Sequence, residues 1–393
     1  MKVERAGCYD MRTRLYGVAT KEESMSFLAE RTSRIDASGI RKVFALAANL
    51  DNPINLSIGQ PDFDVDDAVK QDAIAAIEAG LNRYTQTWGI EELRVEASAY
   101  YQRRFGTPLE NVMVTSGVSG GLFLALLATI DPGDEVIFGD PYFVMYKHLV
   151  NLLGGVCKFV STYPDFKLKP ADVEAAVTDK TKLLIVNSPS NPTGVTLDKK
   201  ELQGLADVAA KHGILVIADE IYEQFYYDDT PASMAGTCEN LLVLNGFSKM
   251  AAMTGWRVGF AAGPAEIIQE MNTLQQYTFV CAPSFAQKAA VTALRADLSE
   301  RIAAYKHKRD LIYEGLSKQF KVIKPGGAFY IFPEAPGGDG DAFVAKAIEN
   351  NVLVIPGSVF SEQKTHFRLS FAADDATIER GVEVLNKLAA EMG

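Results

Sequence analysis

The sequence predicts an α/β protein: a mainly parallel sheet sandwiched by helices, with a second, smaller α+β lobe toward the carboxyl end. Three observations predict it. Short apolar runs, turn-rich polar clusters and longer helical patterns follow one another repeatedly, the rhythm of strand, loop and crossover helix. Most of the runs are unbroken rather than alternating, as strands covered on both faces must be. Past about Pro283 the helical patterns lengthen and a later strand alternates, so the architecture changes there.

Five strands are expected at 136–138, 183–186, 214–218, 241–244 and 258–262. The residues that follow the first four carry the functional signal. They are Asp140, Pro141, Tyr142 and Phe143; then Asn187 and SPSNPTG; then Asp219, Glu220, Ile221 and Tyr222; then NGFSK, ending at Lys249. Polar and aromatic groups thus gather at the carboxyl ends of consecutive strands, where open α/β sheets place their ligands. In HFRLSFA, Phe367, Leu369 and Phe371 share one face and His366, Arg368 and Ser370 the other, the pattern of a half-buried strand in the smaller lobe.

A chain of 393 residues is two to three times a usual domain, which fits two lobes. The expected division is a flexible extension over 1–24, a first part of the small domain over 25–58, a large ligand-binding domain over 59–285 and the rest of the small domain over 286–393. With 48% hydrophobic and 23% charged residues the chain can build a core, which excludes a disordered or fibrous protein. Its net charge of −11, with no long basic run, argues against a nucleic-acid partner. Cys8, Cys157, Cys238 and Cys281 are scattered without any CxxC pair, so neither a disulfide framework nor a zinc site is expected. The longest apolar stretch, 120–130, is far short of the roughly 20 residues a membrane span needs, and it reads as a buried helix. The amino end mixes charges and offers no signal-peptide core, so a cytoplasmic protein is expected.

Several residues could carry chemistry, each with a plainer alternative. Lys249 follows an apolar strand, which would hold its amine near the sheet edge. A desolvated lysine near another cation loses proton affinity, as imine formation requires, whereas most lysines are simply solvated. Asp219 ends a buried strand and needs a partner there, a protonated ring nitrogen or else a salt bridge or cap. Gly117, Val118 and Ser119 join a strand to an apolar helix. That start is either an N–H cradle for a phosphate or a tight turn with a cap. Arg257 and Arg368 suit a phosphate and a carboxylate respectively, or are exposed strand arginines. The four histidines show no metal spacing, and nothing resembles a Ser/His/Asp triad.

Together these residues resemble the class I/II aminotransferases, pyridoxal 5′-phosphate enzymes of the aspartate aminotransferase fold (fold type I). The motifs that carry the resemblance are LSIGQPDF around Gly59, YTQTWGIEELR from Tyr84, TSGVSGG, DPYF, SNPTG, ADEIYE, GFSKMAAMTGWRVG and HFRLSFA, in the family's order from about Ile35 to the end. The resemblance implies a seven-stranded sheet and a homodimer with shared sites. It implies that Lys249 binds the cofactor covalently and then moves the substrate's α-proton, and that Asp219 keeps the pyridine nitrogen protonated. It further implies that Asn191 and Tyr222 hydrogen-bond the phenolic oxygen and that Phe143, with Tyr142 adjacent, stacks on the ring. Arg257, Val118 and Ser119 would hold the phosphate, Tyr84 would reach the neighbouring subunit's phosphate, and Arg368 with backbone at Gly59 would take the substrate carboxylate.

Two departures stand out. Where many relatives have Ser or Thr as a phosphate ligand three residues before the lysine, this chain has Gly246, with Ser248 the available substitute. Where some aspartate-specific relatives have a lysine it has Ser119, which weakens a pure aspartate assignment. The expected reaction is ping-pong transfer of the α-amino group of an L-amino acid, aspartate or an aromatic or broad donor, to a 2-oxo acid. A same-fold lyase of the C–S lyase or aminocyclopropane-carboxylate-synthase type is the alternative. A cofactor-binding regulator would need a DNA-binding segment that the amino end does not offer. Tyr277 and Phe279 suit either a substrate entrance or a dimer interface.

Overall fold

The computed structural model describes residues 27–36, 39 and 50–392. The expected extension over 1–24 lies outside the described residues, as does much of the segment 25–58. Twelve strands occur among them: β1 (Ile54–Asn55), β2 (Met113–Thr115), β3 (Glu135–Asp140), β4 (Val156–Ser161), β5 (Thr181–Asn187), β6 (Leu215–Asp219), β7 (Leu241–Gly246), β8 (Gly259–Ala262), β9 (Tyr330–Ile331), β10 (Val352–Leu353), β11 (Ile355–Pro356) and β12 (Phe367–Ser370). Seven form the central sheet in the order β2-β8-β7-β6-β5-β3-β4. Only β8 runs antiparallel to its neighbours.

The unbroken apolar runs are explained by the two faces of this sheet. Leu184, Val186, Val216, Ala218, Val243 and Phe260 enter one core, and the residues alternating with them, Leu183, Ile185, Ile217, Leu242, Leu244 and Ala261, enter another. With both faces dry, polar residues are kept to positions at or next to the ends of the central strands, as Lys182, Asn187, Asp219 and Asn245 are. Helix Lys199–His212 shows how the covering layers are punctuated. Asp198 and Glu201 form a reciprocal capping box at its start, and Gly213, at φ +65°, ends it in the left-handed region. Two sheet strands escape the sequence pattern. β2 is only three residues long, and the edge strand β4 is partly exposed along most of its length.

The smaller lobe contains the antiparallel order β11-β12-β9 and the parallel pair of β1 with β10. Helices Ser299–Leu316, Gly340–Glu349 and Asp375–Met392 pack on them. The amino-terminal strand β1 is thus completed by residues almost three hundred positions later. One expectation needs correcting: β12 is buried on both faces, Arg368 and Ser370 being only 1% exposed. Arg368 from its polar face lines a cavity at the site rather than facing solvent, so at that position alternation separates core from site. The boundary expected at 285/286 falls inside helix Ser284–Ala293, whose Ala286, Ala289 and Ala290 are buried in a core of the large sheet. The small-lobe core also takes in Ile221, Tyr222 and Phe225 from the loop after β6, so the lobes share packing at the sheet's carboxyl edge.

Candidate active site

Strand direction assembles the site. β3, β5, β6 and β7 run parallel, so their carboxyl ends share one edge. β8 runs the other way, with Gly259 opposite both Gly246 and Thr115. Its inversion brings Arg257, which precedes it, to that same edge. A cavity of about 370 Å³ opens there, lined by Lys249, Asp219, Tyr222, Asn191, Arg257 and Arg368. Gly59, Val118, Ser119, Phe143 and Ser248 line it too. Of the residues expected at the site, only Tyr84 stands elsewhere, 83% exposed. Tyr277 and Phe279 do not line the cavity. Nor does Tyr142, which stacks on Phe159 and donates its hydroxyl to Glu362 at 2.7 Å; Phe143 is therefore the aromatic side chain that DPYF presents.

β6 ends on Asp219, whose buried carboxylate accepts a 2.7 Å hydrogen bond from Tyr146 and one of 3.3 Å from the backbone N–H of Ile221. Burial raises its pKa above the ordinary carboxylate value, since removing an anion from water costs more than these two donors return. Asn187, ending β5, donates to the Asp219 carbonyl at 2.8 Å and accepts from the Asn191 N–H at 2.9 Å. Two neighbouring strand ends are thereby tied together.

β7 passes directly into the short helix Phe247–Met250, which carries Lys249. Burial, aided by the Arg368 and Arg257 charges and opposed by Asp219, pushes the Lys249 amine down to about 8. Its Nζ donates to the Gly59 carbonyl at 2.5 Å. An amine so placed is available as a neutral nucleophile or base near physiological pH.

At the start of helix Gly117–Thr129 the packing leaves no room for a side chain. Gly117 has φ +66°, and a Cβ there would lie 2.6 Å from Arg257 Nη2. The guanidinium therefore rests against a helix start, where N–H groups and the helix dipole favour an anion. The same crowding accounts for Gly246: a Cβ on it would lie 2.9 Å from the Gly259 Cα and 3.3 Å from Val118 Cγ2. A hydroxyl residue at that position is incompatible with how closely β7 and β8 pack behind the cradle.

On the opposite side Arg368 is 1% exposed. Its Nη1 donates to Asn191 Oδ1 and its Nη2 to the Ser57 carbonyl, both at 3.0 Å, while Nε has no partner. The guanidinium lies between the Tyr330 and Phe360 rings, its carbon 4.5 Å from each centroid. Among the described residues no carboxylate pairs with it. A buried cation without a counter-ion is costly and is a ready receptor for a ligand's anion.

Sequence reasoning did not single out Tyr146 or Tyr330. Tyr146 had a usable signal, since it follows Phe143 by three residues in the helix Val144–Leu153 and so shares its face. Tyr330 had none, because only the docking of β9 against the loop after β6 brings it to the cavity.

A fold-type-I α/β sheet with a lysine, a buried aspartate and two anion-seeking arginines around one cavity defines a class of enzymes, and comparison with known proteins identifies it. Residues 51–385 match the family model for "Aminotransferase class I and II", and the chain belongs to that family; it is a transaminase. It is 38% identical to a probable aspartate aminotransferase of Methanocaldococcus jannaschii, across 92% of this chain and 99% of that protein. It is 36% identical to aromatic-amino-acid aminotransferase 2 of Thermococcus litoralis, across 93% and 98%. The structure of the Thermus thermophilus aspartate aminotransferase with maleate superposes with a TM-score of 0.89 at 34% identity, covering 93% of this chain and all of that one. These relatives bear aminotransferase names, which does not favour the lyase alternative.

Proposed function

We propose that this transaminase uses pyridoxal 5′-phosphate to transfer the α-amino group of an L-amino acid to a 2-oxo acid by a ping-pong mechanism. One observation carries the reading: the depressed Lys249 amine shares its cavity with Arg368, a buried cation that no carboxylate among the described residues neutralises. The residues fit the coenzyme, because Val118, Ser119, Ser248 and Arg257 line one cavity at a helix start, where N–H groups, a hydroxyl and a guanidinium would receive a phosphate. When bound, the coenzyme supplies an electron sink for charge developing at the substrate's α-carbon.

The protein's part is binding, orientation and proton movement. Arg257, the N–H groups of Val118 and Ser119 and the Ser248 hydroxyl would hold the phosphate. Asp219, its carboxylate fixed by Tyr146, would hold the proton of the coenzyme's ring nitrogen. Phe143 would cover the ring face, and Asn191 and Tyr222 would donate toward the phenolic oxygen. Arg368, with backbone at Gly59, grips the substrate α-carboxylate so that the α-hydrogen is presented to Lys249 Nζ, which removes and returns it as a proton. A single cavity serves amino acid and 2-oxo acid in turn, because both carry the carboxylate that Arg368 binds.

We further propose aspartate or aromatic and broad amino acids as donors. The aspartate and aromatic names of the relatives support this range, and Ser119 in the cavity wall argues against strict aspartate specificity. The working unit is a cytoplasmic homodimer in which the exposed Tyr84 reaches the neighbour's phosphate site. The chain divides into a large lobe over 59–285 and a small lobe of 25–58 with 286–393, helix Ser284–Ala293 packing with the large one. Among the described residues no helix is long and apolar enough to cross a membrane.

The test is a single half-reaction. Amino acids are added one at a time to the coenzyme-loaded enzyme, and a donor bleaches the visible absorbance until a 2-oxo acid restores it. If no amino acid changes the absorbance, or if ammonia is released in place of a 2-oxo acid, the reading fails.

A further inference from the structure

Tyr330 meets three elements of the site at once. Its hydroxyl lies 2.9 Å from the Tyr222 hydroxyl, both groups buried. Its ring is one of the two aromatic plates against Arg368. The same hydroxyl stands 2.7 Å from where a Cβ on Gly59 would be, so the Gly59 backbone, whose carbonyl accepts from Lys249, closes over it. The ring therefore has little freedom to move away from Tyr222.

The two hydroxyls form a pair whose direction a ligand can choose. Either can donate in the free enzyme, and Tyr330 is the only hydrogen-bond partner of the Tyr222 hydroxyl among the described residues. Burial holds both phenols neutral, well above the ordinary range for Tyr222, so each keeps one hydrogen to give. An anionic oxygen is a stronger acceptor than a neutral hydroxyl. Once one lies beside Tyr222, the Tyr222 hydrogen turns to it and the Tyr222 oxygen is left to accept from Tyr330. Donors in series polarise one another, which strengthens the outer bond.

We propose that Tyr330 is a positioning residue for the reaction, its hydroxyl donating to Tyr222 so that Tyr222 donates to the coenzyme's phenolic oxygen. The inference rests on the coenzyme reading above. The charged groups facing the pair are Arg368 from β12, Asp219 from the end of β6 and Lys249, whose Nζ lies 5.8 Å from the Tyr222 ring centroid. All three remain when the Tyr330 hydroxyl alone is removed.

The experiment compares wild type, Tyr330→Phe, Tyr222→Phe and the double variant, each loaded with pyridoxal phosphate and titrated by visible absorbance without substrate. Tyr330→Phe keeps the plate against Arg368, so the affinity for 3-phenylpropionate, an unreactive carboxylate, stays within about twofold. The pH of the absorbance transition rises by roughly half a unit to one unit, the equivalent of one hydrogen bond. In the Tyr222→Phe background the Tyr330 change adds nothing, since the bond it serves is gone. An unmoved transition in Tyr330→Phe, or a further rise in the double variant equal to that in the single one, overturns the proposal. The coenzyme-free melting temperature and the dissociation constant for pyridoxal phosphate check that each variant is folded and loaded. A wild type that develops no titrating visible absorbance would instead break the coenzyme reading itself.

Discussion

The two anion-seeking arginines sit on opposite sides of one cavity and are built in opposite ways. Around Arg257 the wall is backbone: a helix start and Gly117, with Gly246 and Gly259 packed so closely behind that a methyl group would collide. Around Arg368 the wall is side chains, two aromatic plates and an asparagine, brought from β9, the turn between β11 and β12 and the SNPTG loop. The first region is rigid by exclusion of side chains, the second by their packing. The lesson is that a phosphate can be held by peptide groups whose spacing is local, whereas an unpaired guanidinium in a dry core needs partners gathered from distant parts of the chain.

That contrast can be tested at both walls and at the lysine between them. The largest effect is expected for Lys249→Ala: no pyridoxal-phosphate absorbance that survives dialysis, and a turnover loss beyond the roughly 10²–10⁴-fold of an ordinary proton-transfer group. Retained colour with a normal rate would remove Lys249 from the account. Next comes Arg368→Ala, where kcat/KM for the best amino acid should fall by the equivalent of about 3–5 kcal/mol while coenzyme affinity changes little. Arg368→Lys should recover only a minor part, because a point charge cannot replace a planar fork held between two rings. A variant that binds substrate normally would mean that the carboxylate lies elsewhere.

A smaller effect should separate the walls. Gly117→Ala meets both a left-handed backbone and the Arg257 guanidinium, so the apoenzyme's melting temperature and its affinity for pyridoxal phosphate should both fall. Gly106→Ala, also at positive φ but facing open space, should cost only the backbone strain of about 1–2 kcal/mol. Equal coenzyme affinity in the two variants would show that the cradle is not where the phosphate sits.

A further test is a pH dependence. Because folding lowers the Lys249 pKa to about 8 from 10.5, the unfolded chain binds more protons than the folded one between those values. Coenzyme-free wild type should therefore gain stability as pH rises from 8 to 10.5, relative to Lys249→Met, and be penalised below 8. Parallel melting curves for the two proteins across that window would show that the amine is not depressed.

The sequence by itself determined five of the seven central strands and most of the residues gathered at their carboxyl edge. A strand buried on both faces must read as an apolar run, and a strand end at a binding edge must change abruptly to Asp219, Asn187 or Lys249, so both are written locally. Gly117 was legible for the same reason, because a left-handed turn at a helix start restricts the residue type. Only the tertiary structure decided the rest. It inverted β8 and so delivered Arg257, it buried the polar face of β12, it excluded a side chain at Gly246, and it brought Tyr330 to Tyr222, 108 residues away. Such contacts place no local demand on the chain around either partner. They arise where two lobes pack, and what makes a tyrosine functional there is the neighbour it meets rather than the sequence in which it stands.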